Sequence, residues 1–366
     1  MSKTHCLIIG SATLDTIAHL ADNQEPTERA REGYTLWKKG AKYEVKTMTH
    51  GVGGGALNSA LCLTTLGHPT TVHCAIGNDD AGKKIRAFTQ EKTIQMRPVI
   101  TNGPTGTSFV IPTQGDRTIF THHGANTQIT QKTCAPDIYS QSQALYLAPL
   151  HGDSIQCAPW IIQTARNQYE QNTLSIALNP SIQHIQEATA FKAILPLVDI
   201  VIVNTEELLS CIDTLKPRFF TSSGAGIIKN GPPLARTLLT HQKATCTLYE
   251  ISKELLSYGI KRLVVTDGSQ GAYIITKDTL YYHKALPVTV GTALGAGDTF
   301  GATFFSLLLT AHGMNIENAL RGATINAASV IHHTTPHQGL LSFKELEKKI
   351  KTIDPSLLKI YPFCSL

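Results

Sequence analysis

Short apolar runs recur along this chain, and each stops at a glycine or a polar residue. His5 to Ile9 stops at Gly10, and Thr71 to Ile76 stops at Gly77. Leu174 to Leu178 stops at Asn179-Pro180, and Ile200 to Val203 at Asn204. Ala144 to Leu147, Leu263 to Thr266 and Ala272 to Thr276 are further runs of this kind. Runs this short and this apolar are strands buried on both faces. Longer segments of helical pattern lie between them, such as Ser59 to Leu66 with its Gly67 stop and Trp160 to Gln171. Strands alternating with helices predict an α/β fold: a doubly wound, mostly parallel sheet flanked by helices. With 366 residues and 42% hydrophobic content, one large domain over 1–366 can close around such a sheet.

Three segments depart from the pattern. Residues 22–49 are polar and weakly alternating (Tyr43, Val45, Thr47), which predicts exposed strands. Residues 99–123 predict a hairpin, with Thr105 to Ile111 and Arg117 to Phe120 around a Gln114-Gly115-Asp116 turn. Residues 215–246 carry Pro217, Gly224, Gly226, Gly231, Pro232 and Pro233. They predict a dispensable surface insertion, loop plus one helix around Ala235 to His241.

Charge and cysteine usage narrow the function. The net charge of +5 comes from 32 basic and 27 acidic residues, scattered along the chain. That fits anionic small molecules and gives no nucleic-acid stripe. Eight cysteines without C-x-x-C predict reduced thiols and a cytoplasmic protein. The fifteen histidines, His332-His333 and His337 among them, lack zinc-site spacing and are expected at the surface. The N-terminal apolar run is too short for a signal peptide, and Phe304 to Leu309 is too short to span a membrane.

Gly291 to Ala311 is the stretch with the strongest chemical content. Small residues around Gly295-Ala296-Gly297 lead into an apolar helix, so their amides form an anion site at a helix N-terminus. Asp298 is the anomaly there, either a helix cap or a base that takes a proton while phosphate charge develops beside it. The dipole and amides predict a lowered pKa for it. Gly51 to Ala56 nearly matches a dinucleotide fingerprint, which would make an NAD-linked oxidoreductase, but no buried strand precedes it. Gly77 to Lys84 has P-loop spacing, yet Lys84 stands at the magnesium-holding Ser/Thr and two acids lie in the loop. Asn204 and Glu207 read either as a capping box or as polar ligands on one helix face.

Taken together, these motifs resemble the ribokinase-like, or PfkB, carbohydrate and nucleoside kinases, over nearly the whole length. Gly53-Gly54 with Asn58 and Gly77-x-Asp79-x-x-Gly82 look like the family's first signature, and Gly295-Ala296-Gly297-Asp298 like its second. Asn204-x-x-Glu207 resembles its magnesium-and-phosphate motif, and Thr266-Asp267-Gly268-x-x-Gly271 its nucleotide loop. The resemblance implies an ATP- and Mg²⁺-dependent phosphotransferase acting on a sugar or nucleoside hydroxyl. By it, Asp298 is the base, Gly295 to Gly297 the anion hole, and Asn204 and Glu207 order magnesium largely through water. Asp15, Gly54 and Asn58 hold the acceptor, Thr266, Gly268 and Gly271 line the nucleotide, and Asn326 flanks its base. Segments 16–50 and 99–123 look like the family's lid, with a homodimer through it as the expected assembly. Thr292-Ala293 replaces an Asp-Thr of potassium-activated members, which puts a potassium site in doubt. Gly55 stands where ribokinases carry a lysine, so ribose is not secured as the acceptor.

Overall fold

The computed structural model describes residues 3–21, 27–29, 34–113, 116–168, 174–215, 221–242, 244–288, 294–309, 313–333 and 337–363. A ten-stranded sheet runs through the molecule in the order Leu358–Pro362, Thr279–His283, Ala272–Ile275, Arg262–Thr266, Ile200–Asn204, Ser175–Leu178, Ala144–Leu147, Cys6–Ile9, Thr70–His73, Gln95–Met96. It is parallel from Arg262–Thr266 to Gln95–Met96, and the three strands beyond Arg262–Thr266 are antiparallel. Each predicted strand is present within a residue or two, except that Thr71 to Ile76 divides into Thr70–His73 and Ala75–Gly77.

Side chains alternate between two cores, as the pleat requires. Leu7, Ile9, Val201, Val203, Leu263 and Val265 enter one; Cys6, Ile8, Ile200, Ile202 and Val264 enter the other. The helices Ala158–Asn167, Thr205–Leu215 and Leu248–Ser257 cover the first face. Gly55–Thr65, Ala296–Leu308, Ile316–Ile331 and Phe343–Thr352 cover the second. Both faces are covered, so the strands can be apolar throughout. The chain runs outward from Cys6–Ile9 to Thr70–His73 and Gln95–Met96, then returns to Ala144–Leu147 on the other side. That reversal opens a crevice at the carboxyl ends of Cys6–Ile9 and Ala144–Leu147, where open α/β sheets bind ligands.

A smaller sheet roots at this crevice, in the order Asp116–His122, Gly106–Thr113, Thr13–Leu20, Val45–Gly53. It takes in the 99–123 hairpin and the end of the 22–49 segment, whose strands Thr27–Arg29 and Tyr34–Leu36 pair apart as a two-stranded sheet. Met48, Ile119 and Phe120 lie exposed on it. Its Ile17 and Val110 bury together with Leu294, the residue before Gly295. The Gln114-Gly115 turn and parts of 22–33 lie outside the described residues.

The 215–246 segment differs from its prediction. The expected helix is a short 3₁₀ turn at Pro233–Ala235 followed by an antiparallel hairpin, Leu238–His241 with Ala244–Thr247. Leu234, Leu239, Ala244 and Cys246 are buried in the first core, so the segment is no loose surface excursion. Gln242 turns the hairpin with φ +49°. Residues 216–220 and Lys243 lie outside the described residues.

Candidate active site

The helix Ala296–Leu308 begins at Gly295, which holds φ +72° as its N-cap. Only glycine takes that conformation without cost. No side chain caps the helix, so the first-turn amides of Ala296, Gly297 and Asp298 keep their N–H groups for another acceptor. A side chain at Gly297 would meet open space, so this turn faces outward. Deeper in the helix, a Cβ at Gly301 would lie 2.5 Å from Tyr146 Oη and 3.2 Å from Ile202 Cγ2. Glycine there lets the helix lie close on the sheet and fixes its N-terminus over the crevice.

Asp298 stands half-buried in the first turn, and its Oδ2 accepts a hydrogen bond from Asn58 Nδ2 at 2.8 Å. The expected lowering of its pKa is overturned. Burial pushes the carboxyl up to about 6, with the Asp15 charge adding to the rise, against the opposing pull of Asn58 and the Arg117 cation. A helix dipole is worth roughly 0.3–1 kcal/mol at an exposed terminus and up to ~2 in partly buried sites. Here desolvation outweighs it.

Asn58, near the start of the helix Gly55–Thr65, has its other amide atom occupied as well. Its Oδ1 lies 3.1 Å from His337 Nε2, and the His337 ring stacks on Phe88 with centroids 4.8 Å apart. Burial, then the Lys92 charge, push His337 down to about 4. The expectation of surface histidines fails: His68, His73, His184 and His283 are buried and His337 is half-buried.

Asp15 does not simply follow the first strand; it lies inside Thr13–Leu20, paired with Gly51 on one side and Ser108 on the other. Ser108 Oγ donates to its carboxylate. Burial raises its pKa against the hydrogen bonds of Ser108 and Thr13. A Cβ at Gly53 would overlap this carboxylate, so glycine makes its room. Gly54 holds φ +95°, and its Cβ would lie 2.6 Å from Ser11 O. At Gly55 a Cβ would meet Pro149 Cδ at 2.7 Å, which leaves no space for a lysine. The Gly51 run is the buried end of the small-sheet strand Val45–Gly53 and passes through Gly54 into the helix Gly55–Thr65, so no main-sheet strand precedes it as a dinucleotide turn requires.

The Gly77-x-Asp79-x-x-Gly82 motif is a clasp. Asp79 caps the helix Asp80–Glu91 through Gly82 N at 2.8 Å, and accepts from Thr105 N at 2.8 Å and Thr105 Oγ1 at 2.5 Å. Thr105 stands just before the small-sheet strand Gly106–Thr113. The clasp therefore ties that strand to the start of the helix Asp80–Glu91.

Asn204 and Glu207 realise the capping box. Asn204 N donates to Glu207 Oε2 and Glu207 N donates to Asn204 Oδ1, both at 2.8 Å. The Glu207 carboxyl is pushed up to about 7 by burial, and the charges of Asp298 and Glu206 add to the rise against the Asn204 bond. Asn204 pairs in register with Thr266, so this box and the Thr266 to Gly271 loop share one rim. Gly268 faces open space, while a Cβ at Gly271 would lie 2.2 Å from His283 O. Asn326 is corrected: it is 0% exposed, with Nδ2 on Thr303 Oγ1 at 2.9 Å and Oδ1 on Leu341 N at 3.0 Å. It braces helices and reaches no ligand. Thr292-Ala293 lies outside the described residues.

This rim combines an uncapped glycine turn, a carboxylate with a raised pKa, and a second carboxylate at a sheet reversal. Residues 15–340 match the family described as pfkB family carbohydrate kinase. The chain belongs to that family. It is a phosphotransferase with an alcohol group as acceptor. It is 26% identical over 259 residues to a ribokinase of Staphylococcus aureus (strain COL), covering 70% of this chain and 74% of that one. The fold matches Arabidopsis thaliana ribokinase complexed with ribose and ATP at TM-score 0.69 and 20% identity, over 96% of this chain and 100% of that one. A Burkholderia thailandensis nucleoside kinase in complex with inosine matches at TM-score 0.69 and 17% identity, over 95% and 98%. Family membership removes the oxidoreductase alternative. Sequence reasoning named His337 only among histidines expected at the surface and Arg117 only as the start of a hairpin strand, and placed neither at this site; their partners lie too far along the chain for any local pattern to show.

Proposed function

We propose that this chain is an ATP-dependent kinase that transfers the γ-phosphoryl group to a hydroxyl of a sugar or nucleoside. The observation that carries the reading is Asp298. It is a half-buried carboxylate in the first turn of a helix whose amides have no cap. With its pKa raised to about 6, it is ionised yet basic at neutral pH. In this reading Asp298 takes the acceptor's hydroxyl proton as that oxygen bonds to the γ-phosphorus. The bond from the γ-phosphorus to the bridging oxygen breaks, and ADP leaves. The amides of the Gly295 to Gly297 turn hold the phosphoryl oxygens, where fixed donors act strongly because little water competes.

Asp15, Gly54 and Asn58 hold acceptor hydroxyls on the other side of Asp298. The Thr266, Gly268 and Gly271 loop lines the nucleotide. Magnesium fits the donor set at Asn204 and Glu207: the Glu207 carboxyl has a pKa raised to about 7 by burial and like charge, so a nearby cation relieves it. The metal would offset phosphate charge there. The small sheet acts as a lid that excludes water, which would otherwise compete as acceptor. A homodimer through that lid would cover Met48, Ile119 and Phe120.

The test is ADP release from ATP and Mg²⁺ with D-ribose, D-fructose, inosine and adenosine supplied separately, with the Asp298→Asn variant as control. Acceptor-dependent ADP release that the variant lacks supports the reading. Equal release by both proteins with every acceptor overturns it.

A further inference from the structure

Asn58 carries one acceptor atom and one two-proton donor, and each has one partner in the protein, which leaves one N–H and one lone pair for an acceptor hydroxyl. Asp298 Oδ2 lies 2.8 Å from the nitrogen, and His337 Nε2 lies 3.1 Å from the oxygen. An ionised carboxylate only accepts, so the Asn58 NH₂ must face it. The Asn58 oxygen then faces His337, and that oxygen needs a proton on Nε2. The opposite amide orientation would set oxygen against carboxylate and NH₂ against N–H. Phe88 stacks on the ring and holds its plane. Lys92, at the end of the same helix as Phe88, is the charged group acting on His337; Asp15, Arg117 and Glu207 are those coupled to Asp298.

We propose that His337 is a positioning residue: its Nε2–H holds the Asn58 amide in the one orientation that donates to Asp298. The inference rests on the kinase reading, because the Asp298 it positions is the base of that reaction. The low pKa supports it, since the ring stays neutral and its single proton can sit on Nε2 across the physiological range. His337 touches neither substrate in this account. It acts through Asn58, across 279 residues of sequence.

Two variants and one spectroscopic measurement test this. Protein labelled with ¹⁵N-histidine reports each ring's tautomer, and the His337 signal is the one that disappears in His337→Gln. The expected signal is Nε2 protonated and Nδ1 bare, unchanged from pH 6 to pH 8. A bare Nε2 overturns the proposal. His337→Phe keeps the stack on Phe88 and removes the donor. Gln keeps a donor near the Nε2 position. With ATP and whichever of D-ribose, D-fructose or inosine is turned over, His337→Phe should lower kcat roughly tenfold, the worth of one hydrogen bond, with KM for ATP unchanged. His337→Gln should recover most of that loss. Equal kcat losses in both variants, or a change confined to KM for ATP, overturn the proposal. A wild type inert toward all three acceptors with the Nε2–H tautomer present rejects those three as the acceptor, and still supports the His337–Asn58–Asp298 arrangement.

Discussion

Replacing Asp298 by asparagine should give a protein that is slower and more stable at once. Asp298 has a folded pKa of about 6 against an ordinary value of 3.8. For a carboxyl whose pKa is raised by folding, the unfolded chain ionises first. The stability it provides is fully present below about pH 4 and is lost as pH rises through about 6. The full loss is about 1.36 kcal/mol per pKa unit, so at most ~3 kcal/mol at pH 8. Asp298 is only half-buried, and solvent screening brings the expected figure to about 1–3 kcal/mol. Asparagine does not titrate, it can still accept from Asn58, and it serves well near a helix N-terminus. Unfolding entropy near 2.1 cal/mol/K per residue gives roughly 0.8 kcal/mol/K for a chain of 366 residues, so the shift in Tm is about 1–4 °C. The assay is calorimetry of both proteins without nucleotide at pH 4, 5, 6, 7 and 8. The Tm gap in favour of the variant should open between pH 4 and 6 and stay level above 7. Turnover at pH 7.5 should fall on the order of 10²–10⁴-fold, the usual worth of a general base. A Tm gap that is flat across pH, or that favours wild type at pH 8, would refute the claim that desolvation dominates this carboxyl. Near-normal turnover would remove Asp298 as the base and leave Asp15 to be tried.

Three further outcomes follow from the geometry. Glu207→Gln retains the capping bond to Asn204 N, so it should raise the Mg²⁺ concentration for half-maximal rate several-fold without lowering Tm at pH 8; titration of rate against Mg²⁺ checks it. Leu239→Ala should cost about 2–4 kcal/mol in urea unfolding, since Leu239 is buried; a cost under about 0.5 would mark the hairpin as a surface appendage. Asp79→Ala loses the cap and both Thr105 bonds, and should cost about 1–2 kcal/mol while raising KM for the acceptor more than for ATP. The Asp79 pKa is lowered by those bonds against the opposing effect of burial. Its contribution is therefore present above the ordinary carboxylate range and is lost as pH falls through the folded value.

Local pattern made the main sheet legible, because Ile200 to Val203 or Leu263 to Thr266 can satisfy their apolar side chains only between two covered faces. The glycine turn before Asp298 was legible for the same local reason, a positive φ leading into a helix. The hairpin at 238–247 was not. Its turn uses Gln242 at positive φ in place of the glycine or asparagine that announces such turns, so the alternation of Leu239, Ala244 and Cys246 went unread. Asn326 misled because a polar residue on an alanine-rich helix looks the same in sequence whether it faces a ligand or a buried threonine. The dipole that predicts a lowered Asp298 pKa is a property of the helix itself, while its desolvation depends on how the rest of the chain packs over it, and the Asp15 charge that adds to the rise comes from over 200 residues away.

The small sheet and the proposed catalytic turn are parts of one mechanism, and three contacts make the case. Asp15 sits in a strand of that sheet with Gly51 and Ser108 beside it, so the carboxylate proposed for the acceptor belongs to the small sheet and not to the main sheet. Ile17, two residues on, and Val110 of the neighbouring strand bury against Leu294, which is bonded to the Gly295 that starts the helix carrying Asp298. Asp79 fixes Thr105, at the foot of the neighbouring strand, to the start of the helix Asp80–Glu91. Ile17 and Val110 hold Leu294 at 8% exposure, and burying one leucine is worth about 1.5–3 kcal/mol. The carboxylate proposed for the acceptor and the turn proposed for the phosphoryl group therefore share one apolar contact.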